Sequence, residues 1–268
     1  MLLNTVVIGS EGPLVVAIPG GPGFSHGYVR PALDPLADAA RVVYVDPRNT
    51  GDSPVAPVET CTLEQTADDI AELGLGPAIV FGHSAGGFVA LHFALRHPEL
   101  TAGLVLCETG PTIAPVADDS PPPSLLERAG PEAAEVAGRM FAGDASPETS
   151  MAFARLVAPF YAGPEHMDVP PAVFPLSTIN SEVVQYFFSE LAASYDVTAR
   201  LGEVKAPTLV TVGAFDWVVA PVRGRTLAAA IPDAQLVEFL ESGHYPYAEE
   251  PERWQRVVRE YLARVGGM

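Results

Sequence analysis

The stretch Ala78–Gly87, AIVFGHSAGG, contains a short apolar run that stops at a glycine and is followed by a serine between small residues. The run Ala78–Phe81 is typical of a buried β-strand, and the residues after Ser84 are typical of a helix. Gly82 and Gly86 have no side chain, so a strand and a helix can approach each other closely around the serine. G-x-S-x-G between a strand and a helix is the pattern of a nucleophile elbow, which exposes the serine hydroxyl at the end of a sheet. The alternative is a glycine-rich turn whose serine has no reactive role.

The rest of the chain alternates between β-type and helical segments. We predict strands at Leu14–Ile18, Arg41–Asp46, Ala78–Phe81, Gly103–Glu108, Pro207–Gly213 and Ala234–Leu240. Helical segments are predicted at about Pro31–Ala40, Thr62–Leu73, Ala85–Arg96, Pro221–Ala230 and Pro251–Val265. Several strands are apolar throughout, as expected for a parallel sheet covered by helices on both faces. The sequence therefore predicts an α/β fold with a mostly parallel, doubly wound sheet.

One region, residues 111–204, interrupts this alternation. It opens with the turn-rich stretch PTIAPVADDSPPPS and continues with helix-like pieces such as LLERAGPEAAEVAGRMF, PETSMAFARLV and SEVVQYFFSELAASY. We expect a core domain of residues 1–110 and 205–268, and a helical lid formed by residues 111–204. An insertion at this place would cover the carboxyl ends of the strands, where open α/β sheets bind their ligands.

Composition limits the possible partners and the location. The 268 residues carry 33 acidic and 15 basic side chains, a net charge of -18, which argues against binding to nucleic acids or anionic membranes. The acidic excess favours a self-repelling soluble surface, with a cationic substrate as the alternative. The chain shows neither a signal-peptide pattern nor an apolar run long enough to span a membrane, and we expect a cytoplasmic protein, monomeric or a small homo-oligomer. Cys61 and Cys107 are too few for a disulfide framework, so we expect two buried thiols. The histidines show no metal-ligand spacing, and we expect neither a metal nor a cofactor.

A serine needs a base to become a nucleophile, and the sequence offers one in the expected order. In enzymes with this elbow the acid and then the histidine follow the serine along the chain. Asp216 ends the strand PTLVTVGAFD, and His244 lies in the loop after the next strand. Taken alone, each would be an ordinary turn or loop residue. Their joint spacing behind Ser84 predicts a Ser84–Asp216–His244 triad, whereas the side chain of His83 is expected to point away from the nucleophile.

A second glycine-rich loop, IPGGPGFSH, follows the first strong strand. It lacks the spacing of the phosphate-binding loops. We predict that the backbone N–H of Gly21, together with that of Ala85, binds the oxyanion that forms when the serine attacks a carbonyl. Gly20, within this loop, and His26, its last residue, are candidates for substrate contact.

These motifs together resemble the α/β-hydrolase superfamily and, within it, the proline iminopeptidase branch, over almost the whole chain. PGGPG (Pro19–Gly23) is similar to the branch's H-G-G-P-G, and VDPRNTGDS (Val45–Ser53) to its D-Q-R-G-x-G-x-S. Pro19 stands where the family has histidine, so the oxyanion loop must be held differently here. The acid loop GAFDWVVAP and the histidine loop SGHYPYAEEPERW also match.

The resemblance also nominates residues for binding a substrate amine. SEVVQYFF is similar to the family's E-N-H-Y-F segment, which points to Glu182 and Tyr186, with Trp217 beside the acid as a further candidate. A solvated helix-start acid is the alternative for Glu182. The family's second lid carboxylate has no counterpart in MAFARLVAPFY.

The resulting functional hypothesis is a serine hydrolase that works through an acyl-enzyme on a small molecule or short peptide. The resemblance favours release of N-terminal proline from peptides, whereas the missing carboxylate favours a small ester, lactone or amide. The same fold also carries non-hydrolytic lyases and ligand receptors, so these remain alternatives.

Overall fold

The computed structural model describes residues 1–267, which form a seven-stranded sheet with helices on both faces. The strands are β1 (Thr5–Ile8), β2 (Leu14–Ile18), β3 (Arg41–Val45), β4 (Ala78–His83), β5 (Thr101–Cys107), β6 (Thr208–Gly213) and β7 (Ala234–Phe239). Their order in the sheet is β1-β3-β2-β4-β5-β6-β7. Only β1 runs antiparallel to its neighbour, and the other pairs are parallel. This confirms the predicted doubly wound α/β sheet.

The six predicted strands are all present, and β1 is the one that sequence analysis missed. Its four residues alternate between exposed and half-buried positions at the edge of the sheet. A short edge strand buries little apolar surface, so its sequence shows no continuous apolar run. The inner strand β4, by contrast, is buried at every residue.

The α-helices are α1 (Arg30–Leu33), α2 (Leu63–Ala71), α3 (Ala85–Arg96), α4 (Leu125–Ala129), α5 (Pro131–Phe141), α6 (Pro147–Leu156), α7 (Val169–Val173), α8 (Ser181–Tyr186), α9 (Pro221–Ala230), α10 (Pro246–Glu249) and α11 (Pro251–Gly266). The prediction of one helix over Pro31–Ala40 is wrong. The chain forms only α1 and a 3-10 turn at Asp34–Leu36. Pro35 has no amide hydrogen to donate to the preceding turn, so a continuous helix cannot pass through it.

Alternation along the strands divides the core into two layers. On β2, Val16 and Ile18 pack in one layer with α2 and α3, whereas Val15 and Ala17 pack in the other. The second layer includes the fully buried Trp254 of α11. Successive side chains of a strand point to opposite faces, so every inner strand contributes to both layers.

The segment between β5 and β6 carries α4 to α8 and is called the inserted segment below, residues 111–204. The helix-like piece LLERAGPEAAEVAGRMF forms two helices because Gly130 takes a positive φ of 82° before Pro131. Two isolated β-bridges hold the segment to the rest of the molecule and to itself, at Phe24–Ile179 and Thr112–Asp196. Within residues 1–267, no helix combines the length and the apolar character needed to cross a bilayer.

Candidate active site

Ser84 lies at a sharp turn between β4 and α3. Its φ of 54° and ψ of -124° are unfavourable for a residue with a side chain, so the turn is strained. A Cβ atom at Gly86 would overlap the carbonyl oxygen of Ile18, and one at Gly82 would overlap the backbone of Gly86. The two glycines therefore allow the close approach of strand and helix that the sequence predicted.

Asp216 and His244 meet at the carboxyl ends of β6 and β7. His244 Nδ1 donates to Asp216 Oδ2 at 2.7 Å, and both side chains are almost fully buried. The second carboxylate oxygen of Asp216 accepts from the backbone N–H groups of Val218 and Val219, each at 2.9 Å. With Nδ1 bound to the carboxylate, the imidazole has Nε2 left to act as a base toward the cavity that both Ser84 and His244 line.

Two backbone N–H groups border the same cavity beside Ser84. Ala85 is the first residue of α3, so its N–H is among those that have no acceptor within the helix. Gly21 has a positive φ of 115°, a conformation that glycine adopts without strain. Within residues 1–267, neither N–H donates to a protein acceptor. Both are therefore available to an oxygen that acquires negative charge near Ser84.

The cavity has a volume of about 800 Å³ and is apolar. The inserted segment supplies much of its wall, including Met140, Phe141, Phe153, Phe174, Phe187 and Phe188. Its polar lining atoms come from serine, tyrosine and histidine side chains and from the backbone. No aspartate, glutamate, lysine or arginine of the described residues lines it.

The residues nominated for amine binding lie outside this cavity. Glu182 is exposed to solvent near the start of α8, and the Tyr186 hydroxyl donates to the carbonyl of Glu59 at 3.3 Å. On α8 the residues that line the cavity are Ser181 and Val184, and Val184 lies two residues from Glu182 and two from Tyr186. The apolar face of this short helix points inward, so the carboxylate that follows its first residue points outward.

The other predicted contact residues, Gly20, His26 and Trp217, do not line the cavity and bond to protein groups instead. His26 Nδ1 bonds to Asp46 Oδ1 at 2.8 Å, and the Trp217 indole donates to the carbonyl of Phe160 at 2.8 Å. Gly20 donates its N–H to the Tyr28 hydroxyl at 2.6 Å. Tyr28 itself lines the cavity, and the sequence analysis missed it because an isolated tyrosine after a glycine loop carries no pattern.

Three buried polar side chains form a cluster next to the site, and one of them, His83, directly precedes Ser84. The side-chain donor atoms of His83, Cys107 and Glu108 all lie within 4.8 Å of one another. Burial raises the pKa of the Glu108 carboxyl and that of the Cys107 thiol well above their usual ranges. Cys107 donates to Glu108 Oε2 at 2.6 Å, and Thr211 donates to its other oxygen at 3.2 Å. Of the two thiols expected to be buried, Cys107 is, and Cys61 is only partly so.

A serine at a strand–helix elbow, followed along the chain by a carboxylate–imidazole pair at the ends of later strands, is the arrangement of the α/β hydrolases. The family model described as "alpha/beta hydrolase fold" matches residues 13–251. The chain belongs to the α/β-hydrolase family and is an enzyme of that class.

Several known proteins are similar to the chain over nearly its whole length. Proline iminopeptidase PfmaB of Pestalotiopsis fici is 27% identical over 95% of this chain and 93% of its own. Pimeloyl-[acyl-carrier protein] methyl ester esterase of Chromobacterium violaceum is 29% identical over 94% of this chain and 95% of its own. The solved structure of a thermophilic esterase from Thermogutta terrifontis, with malate bound, superposes with a TM-score of 0.75 at 29% identity, covering 98% and 94% of the two chains.

Proposed function

We propose that this enzyme is a serine hydrolase of uncharged carboxylic esters and lactones with an apolar acyl group. The observation that carries the proposal is the cavity of about 800 Å³, which reaches Ser84 and His244 and is lined by no charged side chain of the described residues. An ionised group transferred from water into such a cavity loses its hydration without gaining a partner. An apolar acyl group gains about 25 cal/mol for each Å² that it buries there.

The proposed reaction uses the groups that surround Ser84. His244 Nε2 takes the proton of Ser84 Oγ as the oxygen attacks the ester carbonyl, and Asp216 stabilises the imidazolium through its 2.7 Å bond to Nδ1. The N–H groups of Gly21 and Ala85 bind the negatively charged oxygen of the tetrahedral intermediate. His244 then returns the proton to the departing alcohol, which leaves an acyl-Ser84 ester. Water, activated by His244, attacks that ester, releases the acid and restores the serine.

Release of N-terminal proline is the second candidate, because two proline iminopeptidases are 27% and 28% identical to the chain. That reaction places a charged amine in the site, and an anionic group must compensate for its lost hydration. Glu182, the residue that the resemblance nominates, is exposed and lies outside the cavity. The contents of the cavity therefore favour the ester over the peptide.

The test compares p-nitrophenyl butyrate and hexanoate with proline p-nitroanilide and with the p-nitrophenyl ester of a succinate half-acid, whose acyl group is charged. We expect turnover of the two apolar esters, little turnover of the charged ester and none of the proline anilide. Ser84→Ala should lower kcat by a factor of more than about 10⁴. Glu182→Gln should leave ester hydrolysis unchanged.

Other results would contradict the proposal in distinct ways. Hydrolysis of the proline anilide that is lost in both Ser84→Ala and Glu182→Gln would establish the peptidase. Absence of any turnover in folded protein, without labelling of Ser84 by a fluorophosphonate, would favour a non-hydrolytic role.

A further inference from the structure

A buried chain of hydrogen bonds joins the three loops that carry the proposed catalytic groups. Gly20, next to the proposed oxyanion donor, gives its N–H to the Tyr28 hydroxyl at 2.6 Å. The Tyr28 hydroxyl bonds to His83 Nδ1 at 2.8 Å. His83 Nε2 bonds to the backbone carbonyl of His244 at 2.7 Å. The chain therefore runs from the oxyanion loop, through the residue before Ser84, to the histidine loop.

The position of every proton in this chain is fixed by the end groups. A carbonyl oxygen can only accept, so His83 Nε2 carries a proton and donates it to His244. Burial lowers the pKa of His83 well below its usual value, and the neighbouring His244 lowers it further, so the ring is neutral and Nδ1 is an acceptor. The Tyr28 hydroxyl must then donate to Nδ1 and accept from Gly20. The three hydrogen bonds therefore all point the same way, from Gly20 through Tyr28 and His83 to His244, and each donor has an acceptor.

Packing holds the same two side chains rigidly. Tyr28 is 2% exposed and His83 is 1% exposed. The His83 ring lies 5.4 Å from the Tyr28 ring and 4.7 Å from the His244 ring, centroid to centroid. A buried hydroxyl cannot exchange its partners for bulk water, so removal of the Tyr28 hydroxyl leaves the Gly20 N–H and His83 Nδ1 without a partner.

We propose that Tyr28 and His83 are positioning residues. They hold the Gly21 N–H at a fixed position relative to Ser84 and to the imidazole of His244. This inference rests on the proposed hydrolase function. It also supplies the different support that Pro19 requires: the side chain of Tyr28 holds the loop through the amide of Gly20. Neither residue exchanges a proton with the substrate; each acts through the backbone that it fixes.

The first variant is Tyr28→Phe, which removes only the hydroxyl. Complete loss of an oxyanion donor costs about 10²–10³ in kcat, and a displaced donor should cost less, so we expect kcat to fall by about 10- to 100-fold. KM should change by less than about threefold, because the ground-state carbonyl depends little on this donor. The matched control is Tyr261→Phe, which removes the hydroxyl of another buried tyrosine. That hydroxyl donates to the carbonyl of Pro207 at 2.8 Å, and Tyr261 does not line the cavity.

Two substitutions of His83 separate the two hydrogen bonds that this side chain makes. Glutamine can place an amide near the position of Nε2, and asparagine near that of Nδ1. His83→Gln should keep the bond to the His244 carbonyl and lose the acceptor for Tyr28, and His83→Asn should do the reverse. Since Tyr28→Phe already breaks the one bond that His83→Gln breaks, together with the bond to Gly20, we expect the double variant to be little worse than Tyr28→Phe alone.

The readouts are kcat and KM for p-nitrophenyl butyrate, per site titrated with a fluorophosphonate, and the affinity for an alkyl boronic acid. A boronic acid forms a tetrahedral adduct on the serine and reports on the oxyanion donors, so its affinity should fall with kcat in Tyr28→Phe and His83→Gln. The inference is overturned if Tyr28→Phe keeps kcat within about twofold of Tyr261→Phe, or if the Tyr28→Phe and His83→Gln effects multiply. If the wild-type enzyme neither hydrolyses the ester nor reacts at Ser84, the proposed function fails, and this inference fails with it.

Discussion

Replacing Glu108 with glutamine should change how the stability of the enzyme depends on pH. Glu108 is 1% exposed, and its carboxyl bonds to the side chains of Cys107 and Thr211. Burial raises the pKa of this carboxyl, and the carboxylates of Asp216 and Glu249 raise it further. The folded state therefore keeps Glu108 protonated at a pH where the unfolded chain has lost that proton. Because the folded state binds one more proton, the free energy of unfolding falls as the pH rises above the carboxyl's ordinary pKa, by about 1.4 kcal/mol per pH unit.

The size of the effect follows from that slope. If Glu108 stays protonated throughout, wild type loses about 2.7 kcal/mol between about pH 5.5 and 7.5 through this group. Glutamine has nearly the same shape as the neutral acid and no proton to lose. The stability of Glu108→Gln relative to wild type should therefore rise by about 2.7 kcal/mol over the same interval.

Urea unfolding of the two proteins at a series of pH values measures this difference. Glu182→Gln, on the surface, serves as the control for the removal of one negative charge from a strongly acidic protein. A difference between wild type and Glu108→Gln that stays constant from about pH 5.5 to 7.5 would refute the reasoning, because it would mean that Glu108 has the same charge in the folded and unfolded states.

Three further substitutions test the strained turn, the oxyanion loop and the inserted segment. Ser84→Gly should relieve the strain of a φ of 54° and raise stability by about 1–3 kcal/mol while abolishing activity, and a melting temperature no higher than that of wild type would contradict this. Gly21→Ala places a methyl group at a φ of 115° and should lower kcat at least about tenfold with a smaller change in KM, measured on titrated enzyme. Arg128→Met removes hydrogen bonds of 2.9 and 2.7 Å to two carbonyls of the inserted segment and should cost about 2 kcal/mol in urea unfolding; an unchanged midpoint would show that these bonds do not stabilise the fold.

The fold was predictable because the residues that define it act locally. The apolar runs of the inner strands identify the parallel sheet, and the glycines around Ser84 identify the elbow, since only glycine allows that contact between strand and helix. Asp216 and His244 could be placed because residues at the carboxyl ends of neighbouring parallel strands meet at the same edge of the sheet. Their 2.7 Å bond follows from the topology rather than from any feature of the two residues alone.

The interior of the inserted segment could not be predicted in the same way. A helical pattern gives the existence of α8, but the side of this helix that faces the cavity depends on how several short helices pack. In the structure Val184 faces inward and Glu182 faces solvent. Tyr28 was missed for a related reason, since its proposed role depends on a hydroxyl that reaches His83, which lies 55 residues further along the sequence.

The distribution of charge bears on the choice of substrate. The net charge of -18 leaves open a cationic substrate, which an acidic pocket would attract. Yet none of the acidic side chains in the described residues lines the cavity beside Ser84, and the buried Asp216 carboxylate behind His244 is already bonded to that imidazole and to two backbone N–H groups. A positively charged group would have to leave water for a wall of aromatic rings without a carboxylate to meet it. We therefore expect the acidic surface to favour repulsion between molecules, and under the proposed function the shape and apolar character of the cavity select the substrate.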